Sequence, residues 1–278
     1  MKEGKNMNKK IFWSVKIVIA LLITATVITI DITQKGNVKK PDPPVLLRAY
    51  TDPYGAYGRY GEEPMGWFGD LLKDKLNIEV QIEPYPLWFG YEEDGYTFVK
   101  DADLYSFLGE ISYYEAVQEG KLKNLEDEIK ERPDVYSKYI NAINQIKEDT
   151  YEHTGKKGIF GIPIRLVSFE DSGRECYCIS ILSAAKNPEK AMDLITYSAS
   201  EEGIMNIAFG PEGQMWKKEN GKYTLIQDWY ELYEKDSEEK FVETKHGKED
   251  FHRAICKMEL VGNEVLAREL IGEKNNYE

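Results

Sequence analysis

Few residues of this chain have the types and spacing that catalysis requires. Only three histidines occur, His153, His246 and His252, and no Gly-x-Ser-x-Gly, His-Glu-x-x-His or P-loop spacing is present. His246 and His252 are out of phase for a pair of metal ligands on one helix. The 49 Asp and Glu residues contain close pairs by chance alone, so no glycosidase-type acid and nucleophile can be picked out. The sequence therefore predicts a protein that is not an enzyme and uses no cofactor or metal.

Aromatic side chains are the more informative group, with 19 Tyr, 10 Phe and 5 Trp. Several of them follow predicted strands, where ligands bind in open α/β sheets. They are Tyr54 and Tyr57, Trp88 and Phe89, and Tyr113 and Tyr114. Aromatic faces can stack on sugar rings, and Asp52, Glu110 and Arg165 could fix polar groups nearby. Ordinary core packing is the alternative for any one of these aromatic residues.

Strand and helix patterns alternate along most of the chain. A strand at 45–50, a helix at 65–76 and a strand at 78–82 form the first unit, and strands at 104–107, 158–164 and 176–182 follow with helices at 112–118, 124–131 and 134–147 between them. Asn187 and Ser200 are predicted to begin two further helices. Asn220-Gly221 predicts a hairpin within 216–226, and helices are predicted at 248–260 and 263–271. This alternation indicates an α/β sheet with helices on its faces.

The amino-terminal region predicts a membrane anchor. Residues 11–30 (IFWSVKIVIALLITATVITI) have one charge, Lys16, and are long enough to span a bilayer as a helix. Lys9 and Lys10 precede this segment and place the tail, 1–10, in the cytoplasm. The proline-rich residues 31–44 are predicted to be a stalk, and the rest of the chain an extracellular domain. A cleaved secretory signal is the competing interpretation.

The amino-terminal region and the predicted extracellular domain also differ in net charge. The chain has a net charge of −13, whereas residues 1–40 hold eight Lys and two acidic residues. The remainder is therefore strongly acidic, which opposes nucleic-acid binding because phosphates would be repelled. Cys176 and Cys178 fit two small buried residues on one face of a strand, although a disulfide from either of them to Cys256 is open in an oxidising compartment.

Four stretches together resemble a known family. They are WFGDLLKDKLNIEVQI (67–82), ADLYSFLGEISYYEAVQEGKLKNLEDEI (102–129), GIFGIPI (158–164) and ISILSAAKNPEKAMDLITYSASEEGIMNIAFGPEGQMWKKENGKYTLI (179–226). In this order they are similar to the extracellular solute-binding proteins of carbohydrate ABC importers, family 1 or the maltose-binding class, especially the lipoproteins of Gram-positive bacteria. The resemblance implies a periplasmic-binding-protein-like lobe of type II at 45–226.

Two features depart from the family pattern. No cysteine lies just after the apolar segment, since the first one is Cys176, so a lipid anchor is excluded and the helix at 11–30 would replace it. Family members also insert a long second lobe between the GIP and ISIL strands, whereas only residues 165–177 separate them here. We therefore expect residues 227–278 to be a helical region that forms at most a remnant of the second lobe, and sugar binding to be weak.

By resemblance, the cleft-facing positions would be Asp52, Tyr54 and Glu110, with Trp216 from the Gly-x-Glu-Gly stretch. The implied function is a membrane-anchored, single-pass carbohydrate-binding component of an ABC transporter, or a degenerate relative of one, with a sugar or oligosaccharide as ligand and permease subunits as partners. The alternative is a cell-surface sensory or interaction domain that reuses one binding lobe. An extracellular glycan hydrolase is a third hypothesis.

Overall fold

The computed structural model describes residues 42–51, 66–84, 102–107, 110–164, 178–228, 241–244, 247–250 and 264–273. The chain divides into two units, Met1–Pro43 and Pro44–Glu278. Apart from Asp42 and Pro43, everything described belongs to the second unit. The predicted tail, the predicted membrane helix and residues 31–41 of the predicted stalk lie outside the described residues. Among those that are described, no helix combines the length and apolarity needed to cross a bilayer.

A mixed five-stranded sheet forms the centre of the second unit. Its strands are β1 (Val45–Thr51), β2 (Ile78–Pro84), β3 (Leu104–Phe107), β4 (Ile162–Pro163) and β5 (Cys178–Ile181), in the order β2-β1-β3-β5-β4. β1 pairs in parallel with β2 and with β3. β5 is antiparallel to β3 and to β4. The predicted α/β class is therefore confirmed, with one strand running against the others.

The predicted strand-helix-strand unit at the start of the domain is confirmed. Helix α1 (Gly66–Leu76) lies between β1 and β2 and buries Phe68 and Leu72 at helical spacing. It ends at Asn77, whose φ of 55° is left-handed, a conformation that Asn tolerates better than most residues. Beyond Asn77, the alternation of Ile78, Val80 and Ile82 points one side of β2 toward the core.

The middle of the chain is helical. It contains α2 (Glu110–Gln118), α3 (Glu126–Lys130), α4 (Pro133–Tyr136), a 3-10 turn (Ser137–Tyr139) and α5 (Ile140–Thr154). α5 runs past the predicted end at residue 147 and stops at Gly155, whose φ of 69° supplies the left-handed cap. Strand β4 is shorter than the predicted 158–164, and its Pro163 has no backbone N–H to donate to the ladder.

The two helix starts predicted after residue 186 are confirmed. α6 (Pro188–Ala199) begins after Asn187, although the Asn187 side chain makes no capping hydrogen bond. α7 (Glu201–Phe209) begins after Ser200, whose Oγ accepts a hydrogen bond from the Gly203 N–H at 3.1 Å. β6 (Trp216–Glu219) and β7 (Lys222–Leu225) form the predicted hairpin. Asn220 and Gly221 occupy its turn with φ of 53° and 78°, as a two-residue type I′ turn requires.

The carboxyl-terminal region differs from its predicted helical structure. β8 (Phe241–Thr244) and β9 (Gly247–Asp250) form an antiparallel hairpin, so the helix predicted from residue 248 is wrong over 248–250. Pairing with β8 satisfies this backbone, which outweighs the helix propensity of a Lys- and Glu-rich segment. The second predicted helix is confirmed as α8 (Glu264–Leu270).

Helix α8 packs directly on helix α7. Ala267 is fully buried there, and the Arg268 guanidinium lies 5.6 Å from the centre of the Phe209 ring. An Arg268 nitrogen also lies 3.5 Å from Asp228 Oδ2. The last helix is thus part of the same hydrophobic core as the sheet.

Two buried clusters cover the two faces of the sheet. The large core includes Leu47, Leu104, Ile179, Trp216 and residues of α1, α6 and α7. The small core joins Tyr105 and Cys178 of the sheet to Tyr113 of α2 and Ile146 of α5. Cys178 is fully buried, as the buried-residue interpretation predicts, while Cys176 and Cys256 lie outside the described residues.

Candidate functional site

Four strands end at one edge of the sheet. β1, β2 and β3 are parallel, and β4 shares their direction because β3 and β4 both pair antiparallel with β5. Thr51 is opposite Pro84, and Phe107 and Pro163 are both opposite Cys178. We call this line of strand ends the carboxyl edge. It is the edge at which ligands bind in open sheets of this kind.

Four connecting segments come after strands that end at the carboxyl edge. They are 52–65, 85–101, 108–109 and, one residue beyond the end of β4, 165–177. Eleven of their 46 residues are Tyr, Trp or Phe, about twice the 12% of the whole chain. These segments lie outside the described residues. The aromatic content of the chain is therefore concentrated where the strands end.

The centre of this edge is a topological switch point. β1 has β2 on one side and β3 on the other, so the strand after β1 in sequence lies on one side and the strand after β3 on the other. In open α/β sheets a ligand crevice forms at such a point. Tyr50 is opposite Tyr105 in the register of these two strands. Asp52 follows β1 by one residue, and Glu110 follows β3 by three. The topology thus brings the starting points of these two predicted site segments together.

The four predicted site residues have different outcomes. Asp52 and Tyr54 lie outside the described residues. Glu110 is the first residue of α2, so its backbone is close to the end of β3. These three positions stay predictions as ligand contacts.

Trp216 is at a different place, the first residue of the β6–β7 hairpin. Its side chain is 1% exposed, its Nε1 donates a hydrogen bond to the Gly210 carbonyl oxygen at 2.7 Å, and its ring centre is 5.7 Å from that of Tyr223. In this conformation the indole packs in the large core and presents no free face to a solute. A ligand contact by Trp216 would need the hairpin to move.

Two further aromatic residues of the predicted set are also engaged in packing. Tyr113 is fully buried, and its hydroxyl lies 3.2 Å from Thr150 Oγ1. Tyr114 stacks on the imidazole of His153, with ring centres 4.4 Å apart. Both belong to helix α2, where a helical turn directs them toward α5 and not toward the carboxyl edge.

A stacked tyrosine pair lies just inside the carboxyl edge. The rings of Tyr50 and Tyr105 are nearly parallel, with an interplanar angle of 8° and centres 6.3 Å apart. Tyr105 is buried and Tyr50 is half-buried. The pair spans the two strands that form the switch point. Sequence reasoning missed it, because only the register of β1 against β3 puts these two side chains together.

Asp103 is a buried carboxylate that sequence reasoning also missed. Its Oδ2 accepts a hydrogen bond from the Arg48 N–H at 3.1 Å. Its Oδ1 accepts from the N–H groups of Lys186 and Asn187 at 2.9 and 3.0 Å. Asp103 comes just before β3, at the edge opposite the carboxyl edge, and ties β1 to the start of α6. Its contacts are structural. Within the described ranges, no three His, Cys, Asp or Glu side chains are grouped so that they could hold a metal ion.

Comparisons with known proteins give one similarity. No protein-family model matches the chain, and no curated protein matches it. Among solved structures, it is similar to the crystal structure of the N-glycan transport solute binding protein (NgtS) from Streptococcus pneumoniae, with 10% sequence identity. The match covers 66% of this chain and 74% of that one, with a TM-score of 0.33. At this level the two structures agree only coarsely.

Proposed function

We propose that this chain is a membrane-anchored extracellular solute-binding protein that binds a carbohydrate at the carboxyl edge. The observation that carries the proposal is the switch point between β1 and β3, because a crevice forms where connections diverge. The segments that leave it supply aromatic rings for stacking and the carboxylates of Asp52 and Glu110 as hydrogen-bond acceptors. The proposed activity is binding and not catalysis.

The arrangement of β4 and β5 supports the same proposal. The two strands are antiparallel neighbours, with Pro163 opposite Cys178, so the chain leaves the sheet and returns to it at adjacent points of the carboxyl edge. In the family that the sequence resembles, this is where a second lobe is inserted. A second wall at that place would face the crevice and enclose a sugar, in the manner of a hinged receptor that delivers its ligand to a permease.

The length of the connection favours the second candidate function. Only residues 164–177 separate β4 from β5, and α8 packs on α7 beside the sheet. A receptor with one main lobe buries less of its ligand, so its affinity is lower. A cell-surface sensory or interaction domain tolerates that loss better than a transport receptor does. The membrane anchor at 11–30 serves either function.

The proposal is tested by calorimetric titration of the full chain with gluco- and manno-oligosaccharides. We expect binding weaker than ~1 μM, about −8 kcal/mol, because one lobe leaves the sugar partly exposed. Glu110→Gln and Tyr54→Ala should each weaken the binding by roughly tenfold, the effect of one lost charge-assisted hydrogen bond or one stacked ring.

Glu115→Gln is the matched control, since Glu115 is an exposed carboxylate on the same helix as Glu110. It should leave the affinity unchanged. Equal losses in the two Glu variants, or no binding of any sugar, would argue against the carboxyl edge as the site. Binding tighter than ~1 μM would instead show that a second wall encloses the ligand.

A further inference from the structure

A cavity of about 640 Å³ lies on the outer side of α5. α5 lines it with Asn144, Lys147, Glu148 and Tyr151, and Glu126, Lys157 and Gly158 form the facing wall. We call it the α5 groove. Its volume is within the range of small-ligand sites, roughly 300–1,000 Å³. Residues 155–161 connect α5 to the amino end of β4, so the wall at 157–158 belongs to the edge opposite the carboxyl edge.

Helical spacing explains why α5 contributes one continuous wall. Its four lining residues follow the pattern i, i+3, i+4 and i+7, which puts their side chains on one face of a helix. The buried stripe of α5, with Ile143, Ile146 and Thr150, is on another face. The groove is therefore built on a helix that the core holds in place.

Hydrogen bonds also hold the facing wall. Asn124 Oδ1 accepts from the N–H groups of Glu126 and Ile159, both at 3.1 Å, and the Leu125 N–H donates to the Ile159 carbonyl oxygen at 2.7 Å. A Cβ at Gly158 would lie 2.7 Å from the Asn124 amide nitrogen, so glycine is needed for this close approach. Lys147 Nζ then reaches across to Glu126 Oε1 at 2.8 Å. The cavity is thus largely pre-formed.

Several polar groups of the α5 groove have no partner within the described part of the chain. Asn144 and Glu148 are exposed and make no hydrogen bond or ion pair there. Lys157 makes no ion pair, and its Nζ lies 5.7 Å from the centre of the Tyr151 ring. The Tyr151 side chain is 50% exposed. Donors, acceptors and a half-exposed aromatic ring therefore meet in one cavity.

The chemistry of the lining narrows the class of ligand. Two carboxylates and two ammonium groups line the cavity, so its formal charge is zero and an ion of either sign gains little net attraction. Tyr151 is the one large apolar surface in the lining, which is too little for an apolar ligand. A ligand with many hydroxyls, each both donor and acceptor, and one flat C–H face matches the lining best.

We propose that the α5 groove binds a neutral saccharide, with a ring face on Tyr151 and hydroxyls hydrogen-bonded to Asn144, Glu148 and Lys157. This site is separate from the carboxyl edge and does not depend on a crevice between β1 and β3. A chain with two saccharide sites at opposite edges of its sheet could hold a long glycan at two points, or remain near a glycan surface while the carboxyl edge binds a free sugar.

The test is photo-crosslinking of the full chain with diazirine-bearing maltose and cellobiose, followed by mass spectrometry of the labelled peptides. We expect sugar label on peptides from 144–158 that excess unmodified disaccharide competes away. Tyr151→Ala and Glu148→Gln should each reduce this label at least about fivefold, since each removes a main contact. Circular dichroism and melting curves check that the variants fold.

Glu152→Gln is the matched control, because Glu152 is an exposed carboxylate of α5 that does not line the groove. It should leave the label unchanged. Label at 144–158 that free sugar does not compete for, or that falls equally in the Glu148 and Glu152 variants, overturns the proposal. Label confined to segment 52–65 overturns the groove and supports the carboxyl edge. Label confined to 144–158 supports the α5 groove and argues against the carboxyl edge as the sugar site.

Discussion

The large core and the small core differ in size on opposite faces of the same sheet. The large core collects aliphatic and aromatic side chains from β1 to α8, including Leu47 and Ala267. The small core is a shorter set that mixes aliphatic side chains with two tyrosines and Cys178, and Ser180 on the same side of β5 has a hydroxyl without a hydrogen-bond partner. Burial of apolar area thus favours the large core as the main source of stability.

The small core continues toward the candidate site. Tyr105 belongs to it and stacks on Tyr50 beside the switch point. A tyrosine combines an apolar body with a polar end, so this stacked pair can pack on the core and still adjoin a wet crevice. The comparison teaches that one face of the sheet is committed to stability, while the other joins the helices to the edge where we expect a ligand.

The largest test of this comparison is Trp216→Ala in the large core. It should lower the free energy of unfolding by about 3–5 kcal/mol, through lost burial, an empty cavity and the lost hydrogen bond to Gly210. Denaturant titration measures this loss. Trp216→Phe refills most of the space and should recover more than half of it. A loss below ~1 kcal/mol would mean that the hairpin is not part of the core.

The second test uses pH, because burial raises the pKa of the Tyr136 hydroxyl to about 12. Tyr136 ionises at about 10 when unfolded, so the unfolded state loses its proton first and stability falls between pH 10 and pH 12. Below pH 10 this contribution is complete. Tyr136→Phe should make the alkaline fall in unfolding free energy smaller by ~2 kcal/mol.

The control for this pH effect is Thr196→Val, which removes the partner of the 3.0 Å contact with the Tyr136 hydroxyl but keeps the hydroxyl itself. It should cost about 1 kcal/mol at neutral pH and leave the alkaline fall in place. If the unfolding free energies of Tyr136→Phe and of the wild type fall in parallel above pH 10, the alkaline loss of stability does not come from the Tyr136 hydroxyl.

The smallest effect is expected in the small core. Tyr113→Phe removes a buried hydroxyl that contacts Thr150 at 3.2 Å, and should cost about 1 kcal/mol. Thr150 keeps a hydrogen bond to the Ile146 carbonyl oxygen, which limits the penalty. Chemical denaturation at neutral pH measures it. If Tyr113→Phe lowered the unfolding free energy as much as Trp216→Ala does, the large core would not be the main source of stability.

Local signals were predictable from the sequence because neighbouring residues produce them. The Ser200 cap, the Asn220-Gly221 turn and the strand-helix-strand unit at 45–84 depend on backbone geometry over a few residues. The predicted helix at 248–250 failed for the reason that propensity is overridden when a strand finds a partner, here β8. The sequence of β9 by itself does not show that β8 will pair with it.

For the candidate site, the location was predictable from the sequence but the roles of single residues were not. Its location at the ends of β1 and β3 follows from the order of strands and helices, which periodicity reveals. The roles of single aromatic residues do not follow from it. Trp216 is buried in a core whose residues come from β1 to α8, and Tyr113 packs against α5. Asp103 and the Tyr50–Tyr105 pair were missed for the complementary reason, since their partners are 50 or more residues away.

The sequence by itself determined that this is an acidic α/β domain, rich in tyrosine, preceded by an apolar segment at 11–30, with elements at nearly the observed positions. The tertiary structure alone decided that β1 lies between β2 and β3, that β5 runs against its neighbours, and that Trp216 is buried while Tyr151 is exposed. The physical reason is range: helix caps, turns and periodicity depend on a few neighbouring residues, whereas register and burial depend on which distant segments meet.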